Sequence, residues 1–351
     1  MDNGNHQGDS FMIRHHFAAM ATALGLSLAA TGASAQNVTI KYSNWMPATY
    51  HAWVDVIQPW FKDIEKVTEG RVKVDILPKV VGSVAAQVDV VRDGLADMAW
   101  ITVAFTPGRY HATEVAELPL LSSSSTVHAP AYEKMYRTRL KPLNEFKGVE
   151  LMVIFPITPA QVFTKKTPVR SLADMAGLKF RSPTTTTTDT MNILKAIPIN
   201  KTPTEAYEML SAGTLDGQIT QINTVVGFNQ KELTDHLYML PGGISAPVVG
   251  IAINPDVWAK ISKKDQDAIM GVSAEALAAK FGKRWDQADT EGMEVLKQSG
   301  YKITEATAEQ AAQFRAAVKP LEQRWIDKAK TLNIPNPEGI LADYKKAVGT
   351  K

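Results

Sequence analysis

Short apolar segments alternate with amphipathic ones along most of this chain, and that alternation leaves few folds open. Val38–Asn44 (VTIKYSN) has the period-two pattern of a strand. Ala52–Glu69 reads as a helix stopped by Gly70, Val72–Leu77 as a strand, Ser83–Asp93 as a helix stopped by Gly94, and Asp97–Ile101 (DMAWI) as a buried strand. Strands that alternate with helices predict an α/β fold with parallel strands. A second block follows the same pattern. Glu150–Phe155, Gln161–Lys165, Leu178–Arg181 and Asp216–Thr220 read as strands. Ser171 can cap a short helix through Met175, and Thr202-Pro203-Thr204-Glu205 is a capping box with proline at the first helical position. That helix is expected to end at Gly213, and Val225–Leu233 to be helical. The five-threonine run Thr184–Thr188 predicts a loop and a helix start.

Val248–Asn254 reads as a strand returning to the first block. Ser262 to Asp265 matches another capping box, opening a helix that runs to Gln298. At 1.5 Å per residue it would be about 50 Å long, enough to brace two lobes. Thr307 to Gln310 opens a further helix, so the C-terminal hundred residues are expected to be mostly helical. The chain would cross between the blocks near Phe155–Ala160 and again near Gly243–Val249, and two crossings make a hinge. The expected division is 36–155 plus 246–300 for one lobe, 156–245 for the other, and 301–351 for C-terminal helices packing across both. Trp285 and Trp325 either fill the core or mark a surface where two copies meet, so monomer and dimer both stay open.

The N-terminus reads as a secretory leader over 1–35. Arg14, His15 and His16 precede an apolar run from Phe17 to Ala30, and Ala33-Ser34-Ala35 is a small-residue cleavage site. The run falls short of the ~20 residues a spanning helix needs. Met12 is an alternative start. There is no cysteine, which excludes disulfides, thiol catalysis and cysteine-ligated zinc. The net charge is +2 and no run of Lys or Arg stands out, so nucleic acid and anionic lipid are not expected partners.

Signatures of catalysis are missing. There is no G-x-S-x-G, no H-E-x-x-H, no phosphate-binding G-x-x-x-x-G-K-[ST], and no G-x-G-x-x-G after the first strand. His51, His111, His128 and His236 have no histidine three or four residues away, so each is expected to be a surface or hydrogen-bonded residue. Asp63 with Glu65, and Asp286 with Asp289, read as solvated charge on helices. No catalytic residue, cofactor or metal site is expected, and the chain reads as a binding protein and not as an enzyme.

In open α/β sheets, ligands bind beyond the carboxyl ends of the strands. Asn44, Trp45 and Met46 follow the first strand. Trp100 lies in the third, followed by Thr102, Val103 and Phe105. Arg181, Ser182, Pro183 and the threonines from Thr184 end the Leu178 strand, and Thr220, Gln221 and Asn223 follow Gln218. Arginine is the sharpest of these, because its planar fork binds a carboxylate through two parallel hydrogen bonds. The competing reading is a surface arginine paired with a nearby acid.

Three stretches carry a family resemblance. Ser171–Asp189, SLADMAGLKFRSPTTTTTD, resembles the "DLKGLKIRVP" signature of the solute-binding proteins of TRAP transporters. Thr204–Gln218, TEAYEMLSAGTLDGQ, is similar to that family's "ELYTALQTGVVDGQ", and Gly94–Ala99 with Leu118–Leu121 resemble its "GxxDMA…LPFLF". The resemblance implies a two-lobed, hinge-closing periplasmic binding protein with a long bracing helix, which delivers a carboxylate-bearing solute to a two-part membrane permease. It implies that Arg181 holds the ligand carboxylate. Two departures narrow the ligand: Gln161 stands where many members have a second arginine, and Thr220 where many have asparagine. A single fixed cation suits a monocarboxylate, and Trp45, Trp100 and Phe105 suit an aromatic or apolar one, with hydroxy and keto acids also open. The alternatives are a binding protein of another transporter class, a signalling receptor and, more remotely, a secreted hydrolase.

Overall fold

The computed structural model describes Met1 and residues 37–350. The expected leader, apart from Met1, and the alternative start Met12 lie outside the described residues. The strands are β1 (Val38–Ser43), β2 (Val72–Ile76), β3 (Met98–Thr102), β4 (Glu150–Pro156), β5 (Gln161–Thr164), β6 (Lys179–Ser182), β7 (Ile197–Asn200), β8 (Gly217–Thr220), β9 (His236–Met239), β10 (Val248–Ile253) and β11 (Lys302–Glu305). They form two sheets, ordered β2-β1-β3-β10-β4 and β11-β9-β5-β8-β6-β7. The α/β class expected from the alternation holds.

The expectation of parallel strands needs one correction in each sheet. β10 runs antiparallel to β3 and β4, and β5 runs antiparallel to β8 and β9. Both are the first strand the chain lays down after crossing from the other sheet. They arrive along an extended segment with no crossover helix, which is the connection a parallel neighbour would require. β10 sits between two strands and is buried along its whole length, which is why it reads as the unbroken apolar run VVGIAI.

Between the strands run helices α1 (Gln58–Val67), α2 (Gln87–Arg92), α3 (Ser125–Met135), α4 (Thr185–Ile193), α5 (Pro203–Ser211), α6 (Ile222–Gly227), α7 (Pro255–Trp258), α8 (Lys263–Val272), α9 (Ala274–Gln298), α10 (Ala308–Val318), α11 (Pro320–Thr331) and α12 (Pro337–Ala347). The capping box expected at Thr202–Glu205 forms, and the one expected at Ser262–Asp265 forms on one side only, as a cap by the Ser262 side chain. The helix start at Thr307 proves to be a box with Gln310, and at Ser171 the Asp174 side chain accepts from the Ser171 N–H. The helix expected from Ser262 to Gln298 is broken. Ser262 caps α8 through the Asp265 N–H, and the chain then turns at Ser273 before α9 begins. Ser273 is buried and its hydroxyl accepts a hydrogen bond from Trp60 Nε1 at 3.1 Å, while Ala274 takes a left-handed φ of 44°.

α9 is therefore 25 residues long, about 37 Å. Its buried face, Leu277, Ala278, Phe281, Gly282, Trp285, Ala288, Gly292 and Leu296, recurs at three- and four-residue spacing. Gly282 lets it approach α3, since a Cβ there would lie 2.3 Å from the Ser125 carbonyl oxygen. Ten residues on, Gly292 packs against Ile222 and Asn223 of α6. One helix thus touches the first sheet's α3 at one end and the second sheet's α6 at the other. The stretch 301–351 opens with β11, not helix, and β11 pairs with β9. Trp285 and Trp325 are both buried, so neither offers a surface to a second copy. Trp325 Nε1 donates to the His111 carbonyl at 2.8 Å, tying α11 to the first half of the chain. Among the described residues no helix is long and apolar enough to cross a membrane.

Candidate functional site

The carboxyl ends of β1, β3 and β4 face those of β6 and β8 across a cavity. β1 and β3 contribute Trp45, Met46, Tyr50, Trp100, Thr102 and Phe105. The two crossing segments contribute Ile157, Pro247 and Val249, and α9 contributes Trp285. The second sheet's side supplies Arg181, Pro183, Pro203, Thr220, Gln221, Thr224 and Phe228.

Arg181 is the charged residue of this wall. It lies in β6 between β7 and β8, paired in register with Ile199 and Gln218, and is 2% exposed. Its Nε donates to the Lys201 carbonyl at 2.8 Å and its Nη1 to the Ile219 carbonyl at 3.2 Å. These two bonds aim the guanidinium without neutralising it. Among the described residues no carboxylate comes within ion-pair distance of Arg181. The nearby Glu205 accepts instead from Thr202 N–H and Lys201 Nζ, each at 2.9 Å. Burial pushes the Arg181 pKa down to about 9, and Glu205 offsets part of that fall. The group is still a cation at neutral pH. It is neither the exposed arginine nor the acid-paired one of the competing reading.

Two polar atoms of the same wall are buried without a hydrogen-bond partner among the described residues, Thr220 Oγ1 and Gln221 Nε2. Unmet buried donors are costly, and they mark where a ligand acceptor would be stabilised. Trp285 Nε1 is also unpartnered, with its indole edge-to-face on the His51 ring.

The facing wall is aromatic. Trp45 Nε1 donates to the Trp100 carbonyl at 3.2 Å, which fixes the indole over the cavity. Trp45 lies 6.4 Å from Phe105 and 6.2 Å from Phe228, so it touches rings on both sides of the cleft. Trp100 stacks on Trp285 at 5.8 Å and 7°. Tyr50 meets Phe228 edge-on at 5.1 Å, and a Cβ at Gly227 would collide with the Tyr50 ring at 2.6 Å.

Of the residues singled out from sequence, Trp45, Trp100, Phe105, Arg181, Pro183, Thr220 and Gln221 line this cavity. Four others do not. Asn44 folds back on its own turn, bonding Met46 N–H at 3.1 Å and the Met46 carbonyl at 3.2 Å. Gln161 has both ends of its amide engaged by the Leu240 backbone and borders a separate cavity behind the crossing segments. Thr184 caps α4 through Thr187 N–H and pairs with Ser245. Asn223 is turned toward Tyr50, His51, Thr158 and Asp289.

Two further expectations change. His128 is buried with neither ring nitrogen partnered among the described residues, so it is neither a surface residue nor hydrogen-bonded to any of them, and burial pushes its pKa down to about 3. Asp286 and Asp289 are not solvated charge. Asp286 accepts from Ser125 and Thr126 N–H at 2.8 and 3.0 Å, capping α3. Asp289 accepts from the backbone and side chain of Asn223 at 2.8 and 2.5 Å, and burial raises its pKa to about 6.

Sequence reasoning missed Tyr50, Ile157, Pro203, Thr224, Phe228, Pro247, Val249 and Trp285. These come from helices and crossing segments and not from the strand ends. For Ile157, Pro247 and Val249 the sequence signal is their place in the crossing segments; the others carry none.

The family model of the bacterial extracellular solute-binding proteins, family 7 (DctP), matches residues 44–328. The chain is 23% identical over 329 residues to the outer membrane transporter protein TsaT of Comamonas testosteroni, covering 93% of this chain and 96% of that one. It is 33% identical to a TRAP periplasmic solute-binding protein of Bordetella bronchiseptica, solved with bound (R)- and (S)-mandelate. That superposition has a TM-score of 0.85 and covers 89% of this chain and 99% of the other. A marine-metagenome TRAP solute-binding protein specific for aromatic acid ligands, solved with 3-hydroxybenzoate, is 25% identical at a TM-score of 0.83, covering 90% and 98%.

Proposed function

Because the chain belongs to the family-7 bacterial extracellular solute-binding proteins, the solute-capturing proteins of TRAP transporters, we propose that it captures an aromatic monocarboxylate in the periplasm and presents it to a TRAP membrane permease. The observation that carries this reading is Arg181, a buried cation with no acid partner among the described residues, set opposite an aromatic wall. A buried charge is tolerated when something neutralises it, and a ligand carboxylate would do so through two parallel bonds. The aromatic faces of Trp45, Phe105 and Phe228 supply apolar area for a ring. The mandelate-bound and aromatic-acid-specific relatives point to the same ligand class.

Capture works by closure. We take 36–155 with 246–300 as one lobe, 156–245 as the other, and 301–351 as packing across both. A ligand that touches Arg181 on one lobe and Trp45 on the other binds the closed form better than the open one, and shifts the population by that difference. The permease can then tell loaded protein from empty. Capture ends in release of the unchanged acid, with no bond made or broken.

The test is thermal unfolding of residues 36–351, refolded to strip carried-over ligand, against a panel of organic acids. Ligand at 100 times its Kd stabilises the native state by about 2.7 kcal/mol. A clear shift with aromatic monocarboxylates supports the reading. A shift confined to dicarboxylates or sugars, or no shift with any acid, overturns it.

A further inference from the structure

The polar end of the cavity holds more hydrogen-bond donors than a carboxylate can use. A guanidinium carries five N–H groups. Two of those on Arg181 go to the carbonyls of Lys201 and Ile219, and the structure gives the other three no partner among the described residues. The Thr220 hydroxyl and the Gln221 amino group are buried and unpartnered as well. Thr224 Oγ1 donates to Gln221 Oε1 at 3.4 Å, so the carbonyl end of that amide is held and the N–H₂ end is the one left over. An ionised carboxylate accepts about four hydrogen bonds. The N–H and O–H groups of Arg181, Thr220 and Gln221 exceed that number.

These donors stand together. Ile219, which receives an Arg181 bond, is followed directly by Thr220 and Gln221 at the end of β8. The wall facing them is Trp45 and Phe105, with the Phe228 ring reaching Trp45 from their own side, and these rings offer a ligand ring surface and not hydrogen bonds. The surplus donors therefore call for an acceptor beside the carboxylate, and not one at the far end of the ring. The geometry points to Thr220 and Gln221 as the pair that reads an oxygen on the carbon next to the carboxylate. The ligand class is then an α-hydroxy or α-keto acid with an aryl body. This rests on the reading of Arg181 as the carboxylate anchor.

Three acids that differ only at that carbon separate the two claims: phenylacetate, mandelate and phenylglyoxylate, titrated calorimetrically into refolded protein. In the native sequence at least one oxygenated acid binds about 10- to 100-fold tighter than phenylacetate, the range for a buried donor left unpaired. Gln221→Leu and Thr220→Val each shrink that preference to about threefold or less. Gln221 precedes α6 without capping it through its side chain, so its replacement removes no helix cap. Phenylacetate binding as tightly as both others, or variants that weaken all three acids by one common factor, would overturn the inference and leave the Arg181 anchor standing. Failure of all three acids to bind would overturn both.

Discussion

Tyr50 Oη donates to Asn223 Oδ1 at 2.9 Å, joining the segment after β1 to the first turn of α6 across the cleft. Asn223 also meets His51 Nε2 at 3.2 Å, Thr158 Oγ1 at 3.3 Å and Asp289 Oδ1 at 2.5 Å. One amide therefore ties together both sides of the cleft, a crossing segment and the bracing helix, without lining the cavity. Asn223→Ala removes the acceptor of Tyr50 Oη and one of the two Asn223 bonds to Asp289, loosening the tie across the cleft. We expect about tenfold weaker ligand binding, mostly as faster release. Stopped-flow release rates check this, with small-angle scattering of the loaded protein expected to show a more open average shape.

Arg181 places a buried charge where, among the described residues, no carboxylate pairs with it. Arg181→Met fills similar space with an apolar chain, so the ligand-free melting temperature is expected to stay level or rise. The same substitution removes the anchor and costs affinity on the order of 2–5 kcal/mol. Melting curves with and without ligand separate the effects, and a variant that unfolds at lower temperature yet keeps its ligand shift would contradict both.

The buried His128 ring sets an acid sensitivity. It stacks on Tyr344 at 5.4 Å, and burial holds it neutral, with Asp286 opposing the fall only in part. The unfolded chain takes up this proton below about pH 6.5. Stability supplied by the neutral ring is complete above that pH and is lost as pH falls from 6.5 toward 3. His128→Phe keeps the stack and removes the titration. The loss of stability between pH 7.5 and 4.5 should shrink by about 2 kcal/mol, read from urea unfolding at both values.

Two helical glycines should respond with opposite signs. A Cβ at Gly282 would press the Ser125 carbonyl at 2.3 Å and force α9 away from α3. Gly282→Ala is expected to cost about 2–3 kcal/mol. Gly271 in α8 has nothing within 4 Å of the same position, so Gly271→Ala should stabilise by about 0.5–1 kcal/mol. Denaturant midpoints of the two variants give the comparison.

What was legible in the sequence had a local cause. Thr202 and Glu205 bond each other within four residues, so their helix start is written in the residues themselves. Arg181, Trp45, Thr220 and Gln221 could be placed because strand ends in such sheets point to one crevice. The short edge strands β7 and β11 carry mixed burial and no clean alternation, so the period-two pattern does not mark them. The break at Ser273 depends on Trp60, more than two hundred residues away, so no window around it could reveal it. Gln161 had the right residue type at a plausible strand position. Its use was decided by the Leu240 backbone, a partner that only the folded chain supplies.

The placement of β10 has a consequence for how the molecule is made. β3 and β4 do not touch in the first sheet, because β10 fills the place between them. That sheet has to wait for residue 253 before its middle can form, long after its outer strands have been synthesised. Contacts so distant in sequence form slowly, because a long loop must close before any of them is made. β1, β2 and β3 can pair among themselves, but β4 stays without a partner strand until most of the chain has been made.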